Sequence, residues 1–347
     1  MSGSISTIPI DGRERPPGLE SPSRRPLLTV VTPAYNEAEN LPALYQRLRG
    51  VLDGVGVDMD WEWIVVDDHS SDKTFAVLSL LAEQDDRLRG FRFSRNFGSH
   101  MAITCGLHQA CGDCAVIMAA DLQDPPETIP DLLSEWQRGA QVVWAVRARR
   151  EGEGATYLGF ARLYYALMRH TGALKDMPAA GADFFLLDRQ VIDALRQFQE
   201  RHVSLLALIT WMGFRQAFIN YDKQPRLHGR SGWSLEKKLK LVADSIVSFT
   251  YFPIRLMSYV GCATILLGLF GAGLVLLQAL RGSPVEGWAC LMVVLLVVGG
   301  ILMVMLGVLG EYLWRALDEV RRRPPYIIEA TLKAAMRDRS CESQDNR

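Results

Sequence analysis

The sequence predicts an α/β domain with a mostly parallel β-sheet, followed by an interfacial helix and two C-terminal transmembrane helices. Five short apolar segments alternate with amphipathic segments of helical length, the pattern of strands covered by helices on both faces. Polar residues follow each apolar segment at the point where a strand would end. Two stretches without a formal charge, 25 and 23 residues long, lie in the C-terminal third. The chain therefore combines a globular domain with a membrane anchor.

The five apolar segments are short, as buried strands are. They are Leu28–Thr32, Trp63–Val66, Leu88–Phe93, Cys114–Met118 and Val142–Val146. The segments between them place apolar residues at helical spacing, most clearly in Leu41–Leu52, Lys73–Glu83 and Ile129–Arg138. Parallel strands need a crossover of this length, so we assign these elements to one domain over residues 27–222.

Composition limits the partners and marks the flanking segments. The chain has 347 residues, is 49% hydrophobic and has a net charge of -1, which indicates no nucleic-acid partner. Residues 1–26 are rich in Ser, Pro, Gly and Arg and are predicted to form a disordered tail. Residues 223–255 are predicted to form a basic loop and an amphipathic helix in the membrane interface. Packing of this helix onto the α/β domain is the alternative.

Residues 256–280 and 288–310 are each long enough to cross a bilayer, which takes about 20 apolar residues. Basic residues precede the first stretch and follow the second, whereas the loop between them carries little charge. By the positive-inside rule both ends of this pair face the cytoplasm. The sequence therefore predicts a multi-pass protein of the inner (plasma) membrane. The α/β domain and a tail of residues 311–347 would both be cytoplasmic.

The ends of the predicted strands indicate a ligand site, because parallel sheets bind ligands outside the carboxyl ends of their strands. These ends carry TPAYNE, DDHSSD, SRNFG, ADLQD and VRARR. Any one could be a helix cap, but five together indicate a site. No glycine-rich dinucleotide or P-loop motif follows a strand. The oxygen donors Asp121, Gln123 and Asp124 suit Mg²⁺ or Mn²⁺, which predicts a nucleotide diphosphate bound through a metal.

Four motifs, in this order, resemble a known family: VVTPAYNEAENL, WIVVDDHSSDKT, RNFGSHMAI and VIMAADLQDPPE. With the basic segment and two apolar stretches, they resemble the family 2, GT-A-fold polyprenyl-phosphate glycosyltransferases. The similarity is to bacterial glucosyltransferases acting on undecaprenyl phosphate and, more distantly, to dolichyl-phosphate mannose synthases. It implies a Rossmann-like GT-A fold and inverting transfer of one sugar, glucose or a related hexose, to polyprenyl phosphate. The implied donor is a nucleotide sugar, UDP-linked in relatives with this architecture.

The resemblance also implies roles for residues at matching positions. Five would bind the nucleobase and ribose of the donor: Pro33, Tyr35, Glu37, Asp67 and Asp68. Asp121 and Gln123 would hold the Mg²⁺ or Mn²⁺ ion on the diphosphate. Catalytic roles would fall to Asp121 and to two basic residues near the phosphates, Arg147 and Arg162. The segment QPRLHGRSGWS matches the membrane-proximal loop of the family, in which Arg226, Arg230 and Ser231 would bind the acceptor phosphate.

Two positions depart from the family pattern. Relatives commonly have D-x-D where this chain has Ala119-Ala120-Asp121, and some have a lysine where this chain has Gly232. The first change removes one carboxylate from the expected metal shell, which Asp124 or the oxygens of the substrate would have to replace.

The resemblance further implies that the protein forms a homo-oligomer, namely a tetramer.

The implied acceptor explains why no general base is predicted. A phosphate monoester has a second pKa of about 6 and is largely dianionic at pH 7, so the nucleophile arrives deprotonated.

Two alternatives to a polyprenyl-phosphate glycosyltransferase stay open. A processive polysaccharide synthase of the same fold would show a Q-x-x-R-W segment and more spans. A catalytically silent membrane scaffold that binds nucleotide sugar or lipid phosphate is the other alternative, because of Ala119.

Overall fold

The computed structural model describes residues 25–55, 59–147, 183–198, 204–225, 252–280, 287–321 and 323–332. Four predicted site residues lie outside these ranges: Arg162, Arg226, Arg230 and Ser231. Most of the predicted N-terminal tail and the predicted interfacial helix also lie outside them. The roles assigned to these residues stay predictions.

The described residues form one α/β domain and two long helices. The strands are β1 (Leu27–Ala34), β2 (Asp60–Asp67), β3 (Leu88–Phe93), β4 (Cys114–Ile117), β5 (Val142–Arg147), β6 (Phe185–Asp188), β7 (Gln216–Tyr221) and β8 (Ile328–Leu332). The helices are α1 (Leu41–Val55), α2 (Thr74–Gln84), α3 (Ser99–Gln109), α4 (Ile129–Gln137), α5 (Arg189–Leu195), α6 (Leu205–Trp211), α7 (Phe252–Leu280) and α8 (Trp288–Val320). A short 3₁₀ turn, Pro126–Thr128, precedes α4.

The strands form a single mixed sheet in the order β7-β5-β6-β4-β1-β2-β3-β8. Its centre, from β4 through β1 and β2 to β3, is parallel as predicted. The strands β6 and β8 run antiparallel to their neighbours, and β7 is parallel to β5. All five predicted strands are confirmed, whereas β6, β7 and β8 are not predicted by the sequence.

Burial explains why the sequence predicts the central strands. All eight residues of β1 except Pro33 are buried, and so are all of β2 except its first. Strands covered on both faces read as continuous apolar runs. Helix α1 supplies part of this cover through Leu41, Leu44 and Leu48, which are fully buried at a spacing of three and four residues.

The helices α7 and α8 contain the predicted membrane anchor. Among the described residues, Val297–Val320 is long and apolar enough to cross a membrane, with a mean hydropathy of 1.8 and none of that window buried. The structure therefore supports one candidate span by length and composition. Helix α8 continues to Val320, beyond the predicted end of the second span at Gly310, and the predicted bounds of the spans stay predictions. Glu311 and Arg315 pair at 3.0 Å one turn apart, so charge enters the sequence without ending the helix.

The chain beyond α8 returns to the α/β domain, although the sequence predicts only a tail there. Strand β8 pairs antiparallel with β3, and the Ser94 amide donates to the Ile327 carbonyl at 3.0 Å. The Tyr326 ring stacks on Phe93 with centroids 5.2 Å apart, and its hydroxyl lies 3.0 Å from Nδ1 of His108. The prediction of a separate tail is therefore corrected for residues 323–332. Their strand is determined by a partner far away in the sequence.

Gly112 precedes β4 at a point where the backbone leaves no room for a side chain. A Cβ there would lie 2.6 Å from the Thr29 nitrogen and 2.7 Å from the Leu27 oxygen. We expect Gly112→Ala to lower the free energy of unfolding by about 3 kcal/mol, the upper end for overpacking. Gly50→Ala is the matched control, because nothing lies within 4 Å of its Cβ position in α1. Urea unfolding monitored by tryptophan fluorescence would measure both, and equal losses would contradict the prediction.

Candidate active site

Three loops meet at the carboxyl ends of the central strands. Strand β1 lies between β2 and β4, with Ala34 opposite Asp67 on one side and Val31 opposite Ile117 on the other. The segments that follow these strands are therefore neighbours at one edge of the sheet. This edge contains most of the described residues to which the sequence assigns donor or metal binding.

The loops after β1 and β2 are hydrogen-bonded to each other. The Asn36 amide donates to Ser70 Oγ at 2.9 Å, and the Ser71 amide donates to Asn36 Oδ1 at 2.9 Å. The Glu37 amide donates to Thr74 Oγ1, also at 2.9 Å. Asn36 and His69 have positive φ angles of 57° and 58°, which non-glycine residues adopt uncommonly. These contacts keep the two loops in one arrangement.

The three predicted donor residues of the first loop differ in exposure. Tyr35 is 49% exposed and offers an aromatic face at the edge, of the kind on which a base can stack. Pro33 is half-buried near the end of β1. Glu37 is also half-buried, and its Oε2 accepts from Asn40 Nδ2 at 2.5 Å at the start of α1. Tyr35 is thus the most accessible of the three, and their nucleotide contacts stay predictions.

Asp67 is fully buried, and its two oxygens differ in their hydrogen bonding. Its Oδ1 accepts from the Ser70 amide at 3.0 Å. Its Oδ2 has no hydrogen-bond partner among the residues that the structure describes, and Arg92 Nε lies 3.7 Å away. A buried polar atom without a partner costs about 1–3 kcal/mol. Arg92 partly compensates this buried oxygen, and the predicted contact of Asp67 with the donor stays a prediction.

Asp68 is used differently, because both of its oxygens bind the backbone of the β3–α3 loop. They accept from the amides of Phe97 at 2.6 Å and Gly98 at 2.9 Å. Gly98 has a φ of 95°, a conformation that favours glycine. Burial raises the pKa of Asp68, although the two backbone hydrogen bonds act in the opposite direction. Asp68 therefore shapes this loop, and its predicted contact with the donor stays a prediction.

The predicted metal ligands lie on a tight loop after β4. Asp121 is 5% exposed and its Oδ1 accepts from the Gln123 amide at 3.1 Å, while Leu122 between them has a φ of 60°. Such backbone conformations are concentrated at functional sites. The described residues contain no group of three or more His, Cys, Asp or Glu that could hold a metal. Mg²⁺ commonly uses one or two carboxylates with substrate phosphates, so two donors fit a cation bound with a diphosphate.

Asp124 lies on the same loop but is fully buried. Tyr221 at the end of β7 donates its hydroxyl to Asp124 Oδ1 at 2.6 Å, and Lys223 Nζ lies 3.8 Å from that oxygen. Burial raises the pKa of Asp124 against the opposing effects of Lys223 and Tyr221. Burial and the adjacent carboxylate raise the pKa of Tyr221, so the tyrosine stays protonated and donates. Asp124 is thus engaged with β7.

Arg147 ends β5 directly opposite Tyr221 of β7. Its guanidinium is 30% exposed, and Nη2 lies 3.8 Å from Asp183 Oδ2. Two described residues bring positive charge to this region: Arg147 lies opposite Tyr221 across β5 and β7, and Lys223 Nζ lies 3.8 Å from Asp124 Oδ1. The predicted contact of Arg147 with donor phosphates stays a prediction.

The structure adds residues to which the sequence assigns no role. His100, the second residue of α3, has a buried Nδ1 without a hydrogen-bond partner in the described part of the chain. Burial lowers the pKa of His100, although Asp183 acts in the opposite direction. The pairing of Asp124 with Tyr221 is also new. His100 and Asp124 both belong to motifs quoted above. What marks them in the structure is their burial, which depends on tertiary packing and is not visible in the sequence.

Comparison with known proteins identifies the family of the chain. The model of the family "Glycosyl transferase family 2" matches residues 29–196. An uncharacterized glycosyltransferase of Synechocystis, sll0501, is 37% identical over 302 residues, which cover 87% of this chain and 94% of that protein. The SfII prophage-derived bactoprenol glucosyl transferase of Shigella flexneri is 33% identical over 303 residues, covering 87% and 97%.

A solved structure gives a weaker match. Glucosyl-3-phosphoglycerate synthase from Mycobacterium tuberculosis, in complex with Mn²⁺ and UDP-glucose, is 19% identical with a TM-score of 0.41. The match covers 63% of this chain and 76% of that one. The sequence relatives, matched over nearly their whole length, establish the family. The prediction of a glycosyltransferase is confirmed, and the chain belongs to glycosyl transferase family 2.

Proposed function

We propose that this enzyme transfers one sugar, glucose or a related hexose, from a nucleotide sugar to a polyprenyl phosphate at the cytoplasmic face of the plasma membrane. The observation that carries the proposal is a strand-end site with acidic loops and Arg147, in a chain that also has an apolar helix of spanning length. The full-length similarity to a bactoprenol glucosyl transferase supports the lipid acceptor. A UDP-linked donor, two spans and a homo-oligomer belong to the same proposal.

The residues of the edge have distinct proposed tasks. Tyr35 and Asp67 would bind the nucleoside, because Tyr35 offers an exposed ring and one oxygen of Asp67 accepts no hydrogen bond among the described residues. Asp121 and Gln123 would hold a divalent cation, which supplies positive charge to the leaving diphosphate. Arg147 would orient the phosphates, together with four residues outside the described ranges: Arg162, Arg226, Arg230 and Ser231.

The proposed reaction needs no proton from the protein. An oxygen of the acceptor phosphate attacks the anomeric carbon while the bond from that carbon to the donor diphosphate breaks. The electrons of the broken bond leave with the nucleoside diphosphate, and attack from the opposite side inverts the anomeric configuration. The acceptor is already dianionic because its second pKa is about 6. The task of the side chains is to bring two anions together in line.

A transfer assay tests this function. Purified protein is incubated with labelled UDP-glucose, undecaprenyl phosphate and Mg²⁺ or Mn²⁺, and a chloroform-soluble glucosyl phosphate is the expected product. Reactions without the lipid phosphate are the control for nonspecific hydrolysis. A panel of other nucleotide sugars identifies the donor. No lipid-linked product with any donor would overturn the proposal and would favour the scaffold alternative.

Ala119 gives a separate test of the metal loop. It is half-buried two residues before Asp121, at the position where relatives carry a carboxylate. We expect Ala119→Asp to lower the metal concentration needed for half-maximal activity by about tenfold, within the range for changes around a metal site. Ala119→Asn is the matched control, because it adds a similar volume without charge. Identical metal titrations of the two variants would argue against a cation beside Ala119.

A further inference from the structure

Asp124, like Asp67, is a buried acid whose hydrogen bonding is incomplete. Its side chain is 0% exposed, and Oδ1 is shared by the Tyr221 hydroxyl and the more distant Lys223 ammonium. Oδ2 is buried and has no hydrogen-bond partner among the described residues. Burying a carboxylate whose hydrogen bonds are only partly made costs free energy, so stability alone does not explain a contact of this kind between two segments. Its location suggests what it contributes.

A second set of contacts joins the same two segments. The Gln224 amide donates to the Gln123 carbonyl at 2.9 Å. Arg47 of α1 contacts both sides, since its Nη1 donates to Gln224 Oε1 at 3.1 Å and its Nη2 lies 2.7 Å from Glu127 Oε2. The start of the chain after β7 is therefore tied to the loop after β4 at several points.

These two segments have adjacent tasks in the proposed reaction. Gln123, a predicted metal ligand, directly precedes Asp124. The segment that begins with Tyr221 continues through Gln224 to Arg226, the first residue predicted to bind the acceptor phosphate. Tyr221 also lies opposite Arg147 across β5 and β7. The Asp124–Tyr221 contact thus joins the loop predicted to bind the metal to the strand from which the chain continues to the residues predicted to bind the acceptor.

We propose that Asp124 and Tyr221 are positioning residues, whose hydrogen bond fixes the metal loop against the end of β7, from which the chain continues to the residues predicted to bind the acceptor phosphate. The inference rests on the proposed function and deepens it. Group transfer is sensitive to displacements of about 1 Å. Loss of the contact should therefore impair use of the acceptor, while the nucleoside contacts at Tyr35 and Asp67 are retained.

Tyr221→Phe is the test variant, because it removes only the hydroxyl and keeps the ring that packs edge-on against Phe184. We expect the KM for undecaprenyl phosphate to rise about tenfold, the effect of one hydrogen bond to a charged group. Binding of UDP in the presence of Mn²⁺, measured by calorimetry, should stay within about twofold of wild type because that interaction does not involve the acceptor loop.

Tyr45→Phe is the matched control. The Tyr45 hydroxyl donates to Asp85 Oδ2 at 2.9 Å in an equally buried tyrosine–aspartate pair. Asp85 precedes β3, so this pair lies toward the amino ends of the strands, away from the candidate site. Both variants should lose stability, but only Tyr221→Phe should raise the acceptor KM.

Asp124→Asn supplies a conservative comparison with Asp124→Ala. Asparagine retains an oxygen that can accept from Tyr221, so its acceptor KM should lie closer to wild type than that of the alanine variant. An acceptor KM within twofold of wild type for Tyr221→Phe, or an equal rise for Tyr45→Phe, would overturn the positioning role. If wild-type protein forms no lipid-linked sugar with any donor, the proposed function itself fails and this inference with it.

Discussion

Replacing Asp121 with asparagine is expected to lower kcat for sugar transfer by about 100-fold or more, the loss typical when a group that stabilises developing charge is removed. Asp121 is the single carboxylate of the stretch Ala119-Ala120-Asp121, whereas the D-x-D pattern implied by the family resemblance has two. Asparagine keeps the shape and an oxygen for the Gln123 amide, which donates to Asp121 at 3.1 Å. The loop should therefore keep its conformation while losing negative charge.

Transfer assays over a range of Mg²⁺ and Mn²⁺ concentrations would measure this effect. Asp131→Asn is the control, since Asp131 is exposed on α4 and undergoes the same chemical change. The metal concentration for half-maximal activity should rise in Asp121→Asn and stay unchanged in the control. Full activity of Asp121→Asn at the wild-type metal concentration would remove Asp121 from the metal site.

Replacing Asp68 with asparagine is expected to lower the free energy of unfolding by about 2–4 kcal/mol. The variant weakens two hydrogen bonds between a carboxylate and backbone amides, each worth about 1.5–3 kcal/mol. The amide group of asparagine also directs a donor at either Phe97 or Gly98, whose own amides are donors. One of these amides would lose its partner, and the β3–α3 loop would lose its connection to the end of β2.

Urea unfolding of the two matched variants would test this expectation. Asp86→Asn is the control, because Asp86 is exposed in the turn between α2 and β3. UDP affinity gives a second readout, since the loosened loop lies at the carboxyl end of the sheet. Equal stability of Asp68→Asn and wild type would mean that the two backbone contacts contribute little in solution.

Local pattern was enough to predict the centre of the fold. Strands β1 to β5 and helices α1, α2 and α4 are recognisable because each buries residues at a period that its own sequence displays. Strand β6 runs antiparallel to both of its neighbours, outside the alternation of strands and helices that predicts a parallel sheet, and β7 is largely half-buried or exposed. Strand β8 follows a long apolar helix and pairs with β3 from the other end of the chain. Antiparallel and edge strands of this kind depend on their partners, which a sequence pattern does not show.

The candidate site divides in the same way. The motifs predict which residues meet at the strand ends, because parallel strands bring their carboxyl ends to one edge. They do not distinguish Asp67, one oxygen of which accepts no hydrogen bond among the described residues, from Asp68, whose two oxygens hold the loop before α3. The side chains of consecutive residues at the end of a strand point to opposite faces, so Asp67 and Asp68 have different surroundings although they are chemically identical.

The amino-acid sequence by itself determined the family, the order of the central elements and the chemical class of the site, since these depend on local periodicity and motif spacing. Only the tertiary structure decided that Asp124 is bound to Tyr221 and that residues after α8 complete the sheet. Both contacts join segments about a hundred or more residues apart, and burial and hydrogen-bond partners arise only when such segments pack. For the same reason the sequence suggests Asp124 only as a replacement carboxylate for the metal, whereas in the structure Asp124 connects the loop after β4 to the end of β7.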